Sequence, residues 1–195
     1  MAAYTRPPAP EDLRAVEELC NTAAFLHGTD TLARPDRAAA WLAARTPSAA
    51  PEPAQVPSPQ RLARLVAVRE DVRAYLADPA DAQARAALTR HARDLLGPPR
   101  WSGPGQVDLD PPAAGGGADV GEGEGDAADG VAARALACLA AADLTGRRAR
   151  LKVCRAPECR FVFYDRSPAN NGTWCSMEIC GARHKMRSYR TRRRP

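Results

Sequence analysis

Four cysteines near the C-terminal end constrain this chain more than anything before them. Cys154, Cys159, Cys175 and Cys180 stand as Cys-x4-Cys, fifteen residues, Cys-x4-Cys, in the segment CRAPECRFVFYDRSPANNGTWCSMEIC. Two short-spaced pairs separated by a hairpin's length of chain are what a tetrahedral metal site needs. The first pair falls in a predicted strand–turn–strand, Leu151–Val153 and Phe161–Tyr164, with Pro157 stiffening the turn. The second pair brackets the start of a predicted helix from about Met177 to Arg192. There the backbone N–H groups and the helix dipole favour thiolate over thiol. About forty residues cannot build a self-sufficient core, and a bound Zn2+ supplies the missing folding energy. The competing readings are a redox pair, buried free thiols, or an iron–sulfur cluster, whose usual spacings are absent. Four thiolates already complete a tetrahedron, so His184 is expected to face solvent or phosphate. Cys20 and Cys138 lie on apolar helix faces and read as core residues.

Charge divides the chain in two. The net +5 is the sum of −6 over residues 1–146 and +11 over residues 147–195. A tetrathiolate zinc site carries a formal −2, which balances only about two of those positive charges. The excess points to a polyanion. Behind the last cysteine, Arg183, Lys185, Arg187, Arg190, Arg192, Arg193 and Arg194 follow on a helix and tail. Residues 183, 187, 190 and 194 recur at three- and four-residue steps and so form one basic stripe. Lacking Asn or Gln, the stripe suits phosphate contact with modest sequence preference. The bland alternative is that it solubilises an exposed helix. Arginine outnumbers lysine 26 to 2, as in a GC-rich coding genome, so arginine by itself carries little weight.

The remainder predicts a mainly α fold with a thin, alanine-rich core. Apolar periodicity places helices at Glu11–His27, Arg37–Arg45, Pro59–Ala77, Asp81–Leu96 and Val131–Leu144. In the third of these Leu62, Leu65, Val66, Val72, Tyr75 and Leu76 are expected inward. Residues 46–60 form a Pro-rich loop, and residues 98–130 a Gly-rich acidic flexible loop with room for short strands near Gln106–Leu109. The resulting division is a helical domain over 11–146 with its own apolar core, followed by a treble-clef-like α+β module over 147–195.

The segment LKVCRAPECRFVFYDRSPANNGTWCSMEICGARHKMRSYRTRRR resembles the C-terminal zinc finger of the CGNR family. The family tetrapeptide stands here as Cys180-Gly181-Ala182-Arg183, with Ala182 in place of Asn, and Gly172-Thr173 replaces the Arg pair common before the Trp. LCNT (Leu19–Thr22), Asp30 with Leu32, AAWLAAR (Ala39–Arg45) and LVAVREDVRAYL (Leu65–Leu76) resemble the ABATE-type domain that accompanies this finger. Members are described as putative stress-induced transcription regulators, so the resemblance implies DNA binding.

No catalytic constellation accompanies these features. His27, His91 and His184 are scattered, and GEGEG (Gly121–Gly125) lacks the strand and Lys of a phosphate loop. A closed tetrathiolate site leaves no position for water. The expectation is therefore a DNA-binding regulator rather than an enzyme. The alternatives are a zinc-stabilised protein-interaction adaptor, or an effector-sensing helical domain on a structural finger. The start, MAAYTRPPAPEDLRAVEELC, has no signal-like apolar core, and no run approaches the ~18 residues of a membrane span. The expected location is the cytoplasm, at the nucleoid if DNA is bound, with no membrane partner.

Overall fold

A computed structural model describes residues 6–45, 56–104, 106–109 and 127–193. Most of the Pro-rich loop (46–55), most of the acidic loop (110–126) and Arg194 lie outside these. The fold is mainly α. In chain order it runs α1 (Glu11–Cys20), β1 (Ala23–Ala24), a 3-10 turn (Phe25–His27), β2 (Thr29–Asp30), α2 (Pro35–Ala43), α3 (Pro59–Ala77) and α4 (Ala82–Leu95). Then follow β3 (Arg100–Gly103), β4 (Gln106–Asp108), α5 (Ala127–Leu144), a second 3-10 turn (Arg147–Arg150), β5 (Leu151–Val153), β6 (Val162–Tyr164), a π-helical turn (Met177–Gly181) and α6 (Ala182–Arg192). The strands pair as three separate antiparallel hairpins, β1–β2, β3–β4 and β5–β6.

Local chemistry sets the helix limits. Ser58 caps α3 by accepting from the Arg61 N–H at 3.4 Å, with Pro59 at the first helical position, where its missing N–H is harmless. Asp81 caps α4 through the Gln83 and Ala84 N–H groups. Pro35 starts α2 two residues before the expected Arg37. Alanine does the packing in α5, where Ala128, Ala132, Ala133, Ala135 and Ala142 are buried beside Leu136 and Leu139. With small alanines at most of its buried positions, α5 lies against α1, α3 and α4 together.

Two further boundaries shift. The first helix stops at Cys20 rather than His27. Its free Cys20 carbonyl is taken by Arg73, and Asn21 turns its amide away to β6. The chain then doubles back through Gly28, whose φ of 62° suits the tight turn between β1 and β2. Residues 127–130, expected in the flexible loop, are instead the first turn of α5. Ala128 is buried there, and Asp129 sits at the positive end of the helix, 3.6 Å from Arg64.

The larger correction concerns the core. The helical domain and the C-terminal module do not have separate apolar interiors. Leu151 of β5 and Val162 of β6 are fully buried among Leu13, Val16, Leu65, Val72 and the α5 leucines. Along β6 the side chains alternate, as in any strand. Val162 and Tyr164 face the helices, whereas Phe161 and Phe163 face the cysteines. Asn21 completes this strand as a neighbouring strand would: its Nδ2 donates to the Val162 carbonyl at 2.8 Å, and its Oδ1 accepts from the Val162 N–H at 2.9 Å. In α3 the inward face includes Val68, Arg69 and Arg73, while Val66 and Tyr75 are only half-buried.

Arg73 is the central polar tie. Its side chain is fully buried, and it donates to the Cys20 carbonyl and, at 2.7 Å, to the Arg160 carbonyl, with Glu70 as counterion. Removing one member of a buried ionic group strands its partners and costs roughly 3 kcal/mol. Arg73→Met should therefore lower stability by about that amount. Helix content by far-UV circular dichroism and module packing by tryptophan fluorescence should disappear in one transition. Two well-separated transitions in the unsubstituted protein would contradict the shared core.

Candidate metal centre and basic helix

The first cysteine pair is set by a tight turn. Pro157 occupies the second position of the Ala156–Cys159 turn, which closes through the Cys159 N–H to the Ala156 carbonyl at 2.8 Å. Arg160 then adopts φ 51°, a left-handed conformation uncommon for arginine, and its carbonyl is held by Arg73. The Cys154 N–H donates to the Phe161 carbonyl at 2.8 Å, which brings Cys154 and Cys159 to one side of the β5–β6 hairpin. Ser176, between the second pair, caps the π-helical turn by accepting from the Ile179 N–H at 3.2 Å. Both the Cys180 and Gly181 N–H groups return to the Ser176 carbonyl at 3.0 Å. This widened turn carries Cys180 back over Cys175.

All four sulfurs lie within 4.8 Å of one another, and all four residues are buried. Cys159 Sγ is 3.5 Å from Cys175 Sγ, which is 3.7 Å from Cys180 Sγ. These are far beyond the ~2.05 Å of a disulfide. They are close to the roughly 3.8 Å edge of a tetrahedron with 2.3 Å metal–sulfur bonds. The sequence-predicted ligand residues are thus brought together in a set that fits one metal ion.

The electrostatics point the same way. Hydrogen bonds from Cys159 and Cys175 push the Cys154 thiol down to about 2. The hydrogen bond to Cys154 pushes Cys159 up to about 12, and the bonds to Cys154 and Cys159 raise Cys175. Burial, then the charge on Cys154, raises Cys180. The remaining cysteines behave differently: burial lifts Cys20 to about 12 and raises Cys138, as inert core thiols require.

The surroundings fix this cluster to the helical domain. Leu26, from the 3-10 turn after β1, packs against the cysteines beside Phe161 and Ile179. Arg6 donates to the Trp174 carbonyl at 3.2 Å and sits 4.6 Å over the Phe163 ring. Asp165 is buried after β6. It accepts from the Ser167 N–H at 2.9 Å and the Gly172 N–H, and lies 3.0 Å from the Lys152 ammonium. Burial would raise its carboxyl, but these donors outweigh it and hold it well below the usual carboxylate range. A Cβ on Gly172 would come within 2.8 Å of the Asp165 carboxylate, so this position in the loop needs glycine.

Sequence reasoning did not find Arg69, Arg73, Asn21 or Asp165. The available signal was the LCNT run. Cys20 and Asn21 receive Arg73 and β6, and the Thr22 hydroxyl accepts from Arg69 at 3.1 Å. Arg69 also clamps both Asp30 oxygens at 2.8 Å. The guanidinium outweighs the effect of burial and holds Asp30 below its usual range.

Beyond the cysteines, α6 extends outward with no buried residue. Arg183, Lys185, Arg187, Arg190 and Arg192 are on it and exposed, and Arg193 follows with its guanidinium 4.8 Å over the Tyr189 ring. Arg187 is not free: it pairs with Glu158 of the first knuckle at 2.5 Å and draws that carboxyl below its usual range. His184 is exposed, as expected, but also stacks on Trp174, with ring centroids 4.8 Å apart. Trp174 therefore joins the metal cluster to the helix.

A small α+β module closed by four cysteines and ending in a basic helix is a zinc-finger architecture. Residues 150–193 match the CGNR zinc finger, and residues 13–147 match ABATE, described as "Putative stress-induced transcription regulator". The chain belongs to the ABATE family and carries a CGNR zinc finger at its C-terminal end. No curated protein matches it. Among the described residues no helix is long and apolar enough to cross a membrane.

Metal loading of the four-thiol cluster should release protons, because cysteines bind the ion as thiolates. Protons compete with the metal, so affinity should rise with pH and fall on acidification. Proton release measured in weakly buffered titrations checks this, with Cys175→Ser as the control that abolishes tight binding. A pH-independent affinity would contradict it.

Proposed function

We infer that the cysteine cluster holds a structural Zn2+ and that the protein is a DNA-binding transcription regulator rather than an enzyme. Four thiolates at tetrahedral spacing form a site selective for thiophilic ions, with zinc the usual occupant of such closed structural centres. The ion neutralises the pocket and supplies folding energy; it has no position for a reacting water.

The observation that carries the DNA reading is α6. Five cationic side chains project from an eleven-residue helix that buries none of its residues. A helix this polar gains nothing from packing on its own protein, whereas a polyanion releases counterions on binding it. A regulator working on the chromosome is a cytoplasmic protein, found at the nucleoid. Arg187 is shared between Glu158 and phosphate, so Glu158 tempers its contribution.

The test uses the full zinc-loaded chain, because the module alone would expose Leu151 and Val162. Duplex affinity should fall steeply with salt. Arg187→Ala with Arg190→Ala should weaken all sequences about equally and flatten the log–log slope by roughly 0.9 for each phosphate no longer neutralised. An absence of duplex binding at low salt would overturn this reading and favour a protein-interaction adaptor.

A further inference from the structure

The exposed apolar residues of α6 are not scattered. At 3.6 residues per turn, Ala182, Met186, Tyr189 and Arg193 follow one another at four-, three- and four-residue steps, so they form one line along the helix. Met186 is 54% exposed and Tyr189 46%, the two largest apolar side chains of α6. Arg183 and Arg187 stand on one flank of this line, and Lys185 and Arg192 on the other. His184, stacked on Trp174, occupies the opposite side of the helix. That stack turns the Ala182–Met186 line away from the body of the protein.

Beside the line lies an open groove of about 550 Å³, lined by Ile179, Ala182, Met186 and the arginines 183, 187 and 190. Glu178 also lines the groove. The apolar line itself, with Arg183 and Arg187 on one flank and Lys185 and Arg192 on the other, fits a partner with apolar groups between two rows of anions. The major groove of B-form DNA has that layout. It admits one α-helix, its walls are phosphates, and the apolar group on its floor is the C5-methyl of thymine. A second copy of this chain fits poorly, since apposing two such faces would bring the arginine rows together. Duplex RNA fits no better: its major groove is too narrow for side chains and its uracil lacks the methyl.

Resting on the DNA-binding reading above, we propose that α6 enters the major groove and that Ala182 and Met186 contact thymine methyl groups there. The face therefore reads A·T pairs in addition to holding phosphate. Alanine at position 182 permits this contact: its short apolar side chain lets the helix approach the methyl closely, where an asparagine would seek a hydrogen-bonding base edge.

The experiment compares two duplexes of alternating A·T sequence, one with thymidine and one with deoxyuridine throughout, using the full zinc-loaded chain. The thymidine duplex should bind more tightly by roughly fourfold per methyl contacted, the worth of burying one such group. Met186→Ala should remove most of that preference, bringing the two affinities toward each other, while leaving zinc content and thermal unfolding unchanged. Arg187→Ala with Arg190→Ala should weaken both duplexes alike. Equal binding of the two duplexes by the unsubstituted protein would overturn the methyl contact and leave the DNA-binding reading standing. Failure to bind either duplex would overturn both. A Met186-dependent dimer in sedimentation without DNA would assign the face to self-association instead.

Discussion

The three residues of β6 belong to two apolar clusters at once. Val162 and Tyr164 point into the helices and Phe161, just before the strand, with Phe163 into the cysteines. So short a strand, paired only with Leu151–Val153, has little stability of its own. It is held because Asn21 supplies the hydrogen bonds of a second neighbour and because both its faces are buried. Burying Leu151 and Val162 among the helices contributes roughly 1.5–3 kcal/mol each. The polar counterpart is Arg73, which directs its donors to carbonyls from α1 and from the first knuckle. Through these contacts the geometry of Cys154 and Cys159 depends on α1 and α3 as well as on a bound metal.

This arrangement gives α6 its direction. The helix has no core of its own, and it is anchored through the π-helical turn that carries Cys180 and through the Trp174–His184 stack. A metal held by the four cysteines would therefore also fix where the basic face points. The helical domain, by fixing the hairpin, sets where the whole module points.

Much of this was legible in the sequence. The cysteine spacing identified the four thiols that converge, because each pair is bent together by a local turn, closed by Cys159 N–H to Ala156 and by Cys180 N–H to Ser176. The limits of α3 were legible for a similar reason: Ser58-Pro59 and Asp78-Pro79 start and stop it locally. The inward positions of α3 were legible only in part. Arg69 and Arg73 were not among the expected inward residues, since burying a guanidinium requires partners, and those partners, Asp30, Cys20 and Arg160, come from remote parts of the chain. The end of α1 was obscured for the same reason, because its apolar period continues through Ala23 and Ala24 while its real terminus is set by Asn21 and Arg73. The expectation of two independent cores failed at β6. A strand with alternating Phe and Val or Tyr can bury one face or both, and its sequence looks the same in either case.

Hydrogen–deuterium exchange before and after metal chelation tests this shared architecture most directly. Chelation should raise exchange not only at the cysteine turns but also at the Val162 amide, at the C-terminal end of α1 and around Arg69–Arg73 in α3, while α4 keeps its protection. If chelation loosened residues 154–192 and left the amides of α1 and α3 as protected as before, the module would be an independent appendage and this account would be wrong.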